Sequence, residues 1–110
     1  MYSVYLICAE IGGERVHKIG YTRRTPEQRI KEFKTGNASD FYIVDSFKSK
    51  WGAKIEAMLK KRYSNCNVSG EWFNLSESEI SEFKIVCITL HENINILYKN
   101  NTFIIDNGWR

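Results

Sequence analysis

The fold of this chain is decided by residues 2–22, which read YSVYLICAEIGGERVHKIGYT. Apolar residues on both alternating faces of Tyr2–Ala9 predict a central strand that is covered on both sides. The glycines within Glu10–Glu14 predict a tight turn, and Arg15–Thr22 is the expected partner strand. The stretch therefore predicts an antiparallel hairpin that carries polar groups beside its apolar residues.

The segments after the hairpin predict two helices and a further strand. Thr25 is a suitable helix cap, Pro26 suits the first helical position, and this helix should end near Gly36. Phe41–Phe47 predicts a third strand, and Lys50–Tyr63 predicts a second helix with an apolar stripe. Both helices should pack on the sheet.

The last third of the chain predicts a third helix between two less regular segments. Glu71–Leu75 is short and aromatic, which indicates a segment packed against the sheet. Ser76–Glu79 has the capping pattern Ser-x-x-Glu and predicts a helix to about Leu90, whereas Asn93–Trp109 predicts a terminal hairpin. We expect an α/β (α+β) domain with a three-stranded, mainly antiparallel sheet flanked by helices over residues 1–90. Residues 91–110 should be a hairpin extension of the same domain.

Composition favours a single folded domain in a reducing compartment. The chain has 110 residues, 43% of them hydrophobic, which is enough for one core. Its three cysteines form no Cys-x-x-Cys pair and its two histidines are far apart, so neither a zinc site nor a disulfide framework is predicted. The longest apolar run, Val4–Ala9, is too short to span a membrane. We expect a cytoplasmic protein, in the host cytoplasm if a phage encodes it, and the sequence does not define its oligomeric state.

The charge is distributed unevenly along the chain. Residues 15–62 contain 13 Lys or Arg against five acids, and residues 63–110 contain three against six. A basic half indicates an anionic partner, most simply a nucleic acid, although a lysine-rich solvated surface fits the charge equally well.

The motifs in this order resemble those of the GIY-YIG nuclease superfamily, over residues 2 to about 75. Ser3-Val4-Tyr5 stands where that family has Gly-Ile-Tyr, and Lys18-Ile19-Gly20 stands where it has Tyr-Ile-Gly. The Lys-Ile-Gly form is similar to a phage and prophage branch. Three later residues match the arginine, glutamate and asparagine of the family, namely Arg29, Glu56 and Asn74.

The resemblance implies a metal-dependent DNA endonuclease, with RNA left open as a substrate. Tyr5 would be the general base, Arg29 would contact the non-bridging phosphate oxygens, and Glu56 would hold Mg²⁺ or Mn²⁺. Asn74 would orient a neighbour or contact a phosphate. Lys18 replaces a family tyrosine, and its ammonium could favour the phenolate form of Tyr5 or orient the water.

Affinity for DNA should come mainly from phosphate contacts, because the resemblance leaves too little chain for a second DNA-reading domain. Such binding is weak, salt-sensitive and poor in sequence information, so cleavage should follow DNA shape. The candidate contacts are Arg23, Arg24, Lys31, Lys54 and Lys61.

Each candidate residue also has a plain structural interpretation. Tyr5 could be a core tyrosine, Arg29 could lie over Phe33, and Glu56 could pair with Lys60. Asn74 could simply form a turn. Taken together and in order, the residues favour the nuclease. The main rival is a nucleic-acid-binding module without turnover, and a further rival is a protein-interaction domain that uses an edge of the terminal hairpin.

Overall fold

The computed structural model describes residues 1–33 and 41–100. These residues form an antiparallel sheet of five strands in the order β3-β1-β2-β5-β4. The strands are β1 (Tyr2–Ile11), β2 (Glu14–Thr22), β3 (Phe41–Ser49), β4 (Asn67–Ser69) and β5 (Trp72–Phe73). The helices are α1 (Pro26–Phe33), α2 (Gly52–Arg62) and α3 (Glu77–Asn100), and a 3₁₀ turn covers Ser64–Cys66.

The predicted N-terminal hairpin is confirmed. Strands β1 and β2 pair from Ile11 opposite Glu14 to Ser3 opposite Thr22. Between them, Gly12 and Gly13 have φ values of 60° and 81°. A two-residue turn with positive φ at both positions follows the right-handed twist of the strands, and glycine adopts it without a steric penalty.

The sheet has an apolar core on each face. On one face, residues of β1 and β2 pack against residues of α2 and α3, among them Val4, Leu6, Ile19, Ile55, Leu59, Phe83 and Cys87. On the other face, Tyr5 and Ile7 pack with Ile30 of α1. Strand β1 is therefore covered on both sides, as its apolar sequence predicts.

The sheet has more strands than the three predicted, although the α+β class is confirmed. Strand β5 places Trp72 opposite Lys18 and Phe73 opposite His17, so the aromatic segment joins the sheet edge instead of packing on a face. Strands of two and three residues carry no alternating pattern of their own, which is why the sequence does not reveal them.

The predicted C-terminal hairpin is wrong in its first strand, because α3 continues to Asn100. Phe83, Cys87 and Ile94 all belong to one buried cluster, which is the spacing of a single helical face. The second predicted strand, over 102–105, and the predicted end of α1 near Gly36 lie outside the described residues. The division into residues 1–90 and 91–110 stays a prediction.

None of the helices in the described part of the chain is both long enough and apolar enough to cross a membrane.

Candidate active site

Tyr5 lies directly against Gly20 at the centre of the hairpin. The two residues are opposite each other in the β1–β2 register. A Cβ atom added at Gly20 would lie 2.3 Å from the Tyr5 hydroxyl oxygen, closer than any side chain permits. Glycine at this position therefore provides the space for the tyrosine ring, and Tyr5 is only 2% exposed. The two motifs of the hairpin thus meet in one contact.

Helix α1 brings Arg29 to the Tyr5 hydroxyl. The helix begins with reciprocal capping: the Thr25 amide donates to Gln28 Oε1 and the Gln28 amide donates to Thr25 Oγ1, both at 3.1 Å. One turn later Ile30 packs against Tyr5 and Ile7. This packing places the Arg29 guanidinium within hydrogen-bonding distance of the Tyr5 hydroxyl.

The electrostatic environment keeps Tyr5 protonated in the free protein. Burial raises the pKa of Tyr5 above its ordinary value, and the hydrogen bond and charge of Arg29 oppose that rise. The carboxylates of Glu56 and Glu71 raise the pKa of Tyr5 further. The ionisation of the Tyr5 hydroxyl is therefore influenced by one guanidinium and by two carboxylates.

Glu56 reaches this site from the flank of α2. Ile55 and Leu59 fix the helix on the sheet, which leaves Glu56 half-buried. Burial raises the pKa of Glu56, whereas the ammonium of Lys60, 3.7 Å from its carboxylate, lowers that pKa. The predicted helical pair of Glu56 with Lys60 is thus present, beside the candidate catalytic contacts.

Glu71 belongs to the same cluster and was missed by the sequence analysis. Its carboxylate lies 2.6 Å from Lys18 Nζ and 3.8 Å from Lys60 Nζ. Lys60 therefore contacts both Glu56 and Glu71. The signal for Glu71 was weak, because its position depends on the two-residue strand β5 that begins at Trp72.

Lys18 lies beside Glu71 and is opposite Ile7 in the β1–β2 register, not Tyr5. Its ammonium also lies over the Trp72 ring, 5.9 Å from the ring centre. The cation that hydrogen-bonds the Tyr5 hydroxyl is Arg29. An influence of Lys18 on the ionisation of Tyr5 stays a prediction.

A comparison with family models identifies the family of the chain. The model of the T5orf172 domain matches residues 2–88. The chain belongs to the T5orf172 domain family. This domain occurs in nuclease-like proteins of phages and bacteria. No curated protein and no solved structure gave a significant match to the chain.

The matched region of the T5orf172 domain also contains Asn74, which is exposed at the end of β5. The Asn74 amide donates to the Cys66 carbonyl at 2.8 Å, which extends the β4–β5 pairing at the end opposite its turn. Within residues 1–33 and 41–100, the Asn74 side chain has no hydrogen-bond partner. The structure therefore shows a backbone role for Asn74, and a role of its side chain in the site stays a prediction.

The predicted phosphate-binding residues of this T5orf172 domain are spread over several surfaces. Arg24 forms an ion pair with Glu32, and Arg23 lies over the Tyr2 ring while donating to the Tyr2 hydroxyl at 3.1 Å. Lys54 lies over the ring of Tyr98 on α3. The two remaining residues, Lys31 and Lys61, are exposed. Among these predicted contacts, Arg24 shares its acidic partner, Glu32, with Arg29.

The donor set of the T5orf172 domain suits a hard divalent cation. The described residues contain no group of three His, Cys, Asp or Glu side chains that could form a full protein cage. Glu56 and Glu71 nevertheless both contact the ammonium of Lys60, which shows that the position between the two carboxylates favours a positive charge. Mg²⁺ is commonly held by one or two carboxylates together with water and substrate phosphates, and these two residues fit that pattern.

Proposed function

We propose that this chain is a metal-dependent DNA endonuclease of the GIY-YIG type, which hydrolyses phosphodiester bonds. The observation that carries the proposal is the convergence of Tyr5, Arg29 and Glu56 from three different elements. As an isolated residue, each has a plain structural explanation. A buried tyrosine hydroxyl that is influenced by a guanidinium and by nearby carboxylates is suited to phosphoryl chemistry.

Arg29 would bind the phosphate to be cleaved. Its planar guanidinium can donate two parallel hydrogen bonds to the non-bridging oxygens and stabilise the charge that develops on them. Because Arg29 also contacts the Tyr5 hydroxyl, a phosphate bound to Arg29 would lie beside that hydroxyl.

Tyr5 would orient the attacking water; its own phenolic proton would first pass to bulk solvent, and the resulting phenolate, favoured by Arg29, would accept the proton of that water as the phosphate is attacked. The raised pKa of Tyr5 means that the phenol is neutral before substrate binds. Arg29 is the side chain that lowers this pKa, so the two residues act together. Glu56 and Glu71 would hold Mg²⁺ or Mn²⁺, which as a Lewis acid neutralises charge on the phosphate and the leaving oxygen.

The test is cleavage of plasmid and branched DNA by the purified protein, with Mg²⁺ or with EDTA. We expect cleavage with Mg²⁺ and none with EDTA. Glu56→Gln should lower the rate by about a hundredfold or more, since the group that binds the metal is lost, while DNA binding is retained.

Glu77→Gln is the matched control, because Glu77 is an exposed acid at the start of α3 and the variant has the same change in charge. Its rate should equal that of the wild type. Metal-stimulated cutting by Glu56→Gln at the wild-type rate would remove Glu56 from the mechanism.

The second candidate is a DNA-binding module without turnover. Lys18 stands at the position of a family tyrosine and is engaged by Glu71, which favours this alternative. A wild-type protein that binds DNA and cuts none of the substrates with Mg²⁺ or Mn²⁺ would establish it.

For either candidate function we infer that the protein acts in the cytoplasm, because Cys8, Cys66 and Cys87 are free thiols.

A further inference from the structure

Two arginines close to the candidate active site share one carboxylate. Arg29 Nη1 lies 2.6 Å from Glu32 Oε2, and Arg24 Nη2 contacts the other oxygen, Oε1. Each arginine therefore binds a separate oxygen of the same anion. Two non-bridging oxygens of a phosphodiester can be bound by two guanidinium groups in the same way.

This carboxylate lies next to the candidate active site. Arg29 also contacts the Tyr5 hydroxyl, so Glu32 is separated from Tyr5 by a single guanidinium. The side chains of Arg24, Glu32 and Arg29 are 55%, 40% and 34% exposed. Ion pairs with this exposure are weak, and another anion can displace the carboxylate at little cost.

A basic groove begins at the same arginine. Arg24 lines a groove of about 450 Å³ together with Arg23, Lys48 and the ring of Tyr2. The other residues that line it are Met1, Ser3, Thr25 and Gln28. Within the described part of the chain, no acidic residue lines this groove. A nucleic-acid strand that reaches Arg29 therefore has a positively charged path past Arg24.

We propose that Arg24 and Arg29 form a phosphate-binding clamp, which Glu32 occupies until a phosphate of the nucleic acid displaces it. This inference rests on the proposed function for the identity of the ligand. A phosphodiester carries the same single charge as the carboxylate and can bring neighbouring phosphates into the groove beside Arg23 and Lys48. Glu32 is therefore an internal competitor of the substrate and lowers its affinity.

The test compares two variants of α1 that remove one negative charge each. Glu32→Gln removes the carboxylate that both arginines contact, whereas Glu27→Gln removes an exposed acid elsewhere on the same helix and serves as the matched control. Binding of a fluorescent DNA duplex is measured by anisotropy in EDTA, so that cleavage does not interfere. We expect Glu32→Gln to bind about fivefold more tightly than Glu27→Gln, as the loss of exposed ion pairs allows.

A second variant removes one of the two arginines of the clamp. Arg24→Gln should weaken binding and make the dependence of the binding constant on salt less steep by about one counterion. In the background of Arg24→Gln, the substitution of Glu32 should lose most of its effect. Equal affinities for Glu32→Gln and Glu27→Gln would overturn the clamp, and so would Arg24→Gln with wild-type affinity.

The binding experiments separate this inference from the proposed function. If the wild type cuts no DNA but Glu32→Gln tightens binding as expected, the clamp holds and the endonuclease proposal fails. If the wild type cuts DNA and Glu32→Gln has no effect on affinity, the clamp fails and the endonuclease stands.

Discussion

At the scale of single residues, the contact between Tyr5 and Gly20 explains why a strand centre contains a glycine. A glycine in a strand normally weakens it, because it has no side chain to pack. Here the missing side chain is what allows the tyrosine ring to lie on the strand, with its hydroxyl directed to Arg29. A substitution of Tyr5 therefore tests the role of its hydroxyl. A substitution of Gly20 tests whether the tyrosine ring needs the space above this residue.

We predict that Tyr5→Phe cleaves DNA at least about a hundredfold more slowly than the wild type and still folds. Only the hydroxyl is lost, and the ring still fills the space over Gly20. Single-turnover cleavage and thermal unfolding give the two quantities. Tyr42→Phe, at an exposed position of β3, is the control and should cut normally. If Tyr5→Phe cuts at the wild-type rate, Tyr5 is only a core tyrosine.

The buried histidine of β2 gives a prediction about stability and pH. His17 is 2% exposed, and in the described part of the chain neither ring nitrogen has a hydrogen-bond partner. Burial lowers the pKa of His17 below its ordinary value of about 6.5; the nearby Phe73 backbone opposes this shift, and the charge of Arg15 adds to it. At a pH between the lower pKa of the folded state and the ordinary value of about 6.5, the ring is therefore neutral in the native state and protonated in the unfolded state.

Because the unfolded state binds more protons, the free energy of unfolding should fall as pH decreases from about 6.5 towards the lower pKa of the folded state. His17→Leu should lose this part of the pH dependence. Urea denaturation of both proteins between pH 7.5 and 5 (a range set by the ordinary histidine pKa of about 6.5) measures it. Parallel profiles for the two proteins would show that His17 does not contribute.

At the scale of the elements, the C-terminal half of α3 is tied to the start of α2 by a polar network. Ser49 Oγ lies 2.7 Å from His91 Nδ1 and accepts a hydrogen bond from the Trp51 amide at 2.9 Å. The indole of Trp51 donates to Asn95 Oδ1 at 2.7 Å, and the Asn95 amide nitrogen lies 3.1 Å from His91 Nε2. This network links β3, α2 and α3.

Removing one hydroxyl should weaken this junction. Ser49 is fully buried, so Ser49→Ala leaves the Trp51 amide and the His91 ring without their partner. We predict a loss of about 1–3 kcal/mol in the free energy of unfolding, measured by urea denaturation. Ser81→Ala on the exposed face of α3 should change it by less than about 0.5 kcal/mol. Similar values for both variants would mean that the network carries no net stability.

The elements also show what the sequence could and could not predict. The hairpin and the start of α1 were predictable, because Gly12-Gly13 and Thr25-Pro26 are strong local signals. The end of α3 was not, since Ile94 and Ile96 alternate with polar Asn95 as in a strand. The segment is helical through tertiary contacts that this pattern does not show: His91 with Ser49, Asn95 with Trp51, and Ile94 with the core.

The candidate site depended on motif order more than on local pattern. Tyr5, Arg29 and Glu56 could be chosen because they match the order of the GIY-YIG motifs. Glu71 could not, because it reaches Lys18 through a two-residue strand whose pairing depends on tertiary contacts.

At the scale of the whole molecule, the uneven charge predicts how DNA would be bound. Residues 15–62 hold 13 of the 16 Lys and Arg residues of the chain. Binding through these residues exchanges counterions for phosphate contacts and reads little of the base sequence. The acidic residues of the last third keep the net charge at only +3.

We therefore predict weak DNA binding that falls steeply as salt is raised, and cleavage that depends on DNA shape more than on base sequence. Anisotropy titrations at several salt concentrations, with two duplexes of equal length and unrelated sequence, measure both effects. The two duplexes should have similar affinities at each salt concentration. Tight, salt-insensitive binding to one of them would contradict this and indicate a dimer or a partner that reads the sequence.

The short pairing of β5 has a consequence for local opening. Strand β5 joins β2 at His17 and Lys18, whereas β1 is paired along its length with β2 and β3. Hydrogen exchange at the amides of β4 and β5 should therefore proceed by a low-energy local fluctuation, while the amides of β1 exchange by global unfolding. Each such fluctuation carries Glu71 away from Lys18 and leaves Tyr5 in place. The Glu71 carboxylate would then belong to a segment that opens locally. Tyr5 would belong to β1, the strand whose amides exchange most slowly.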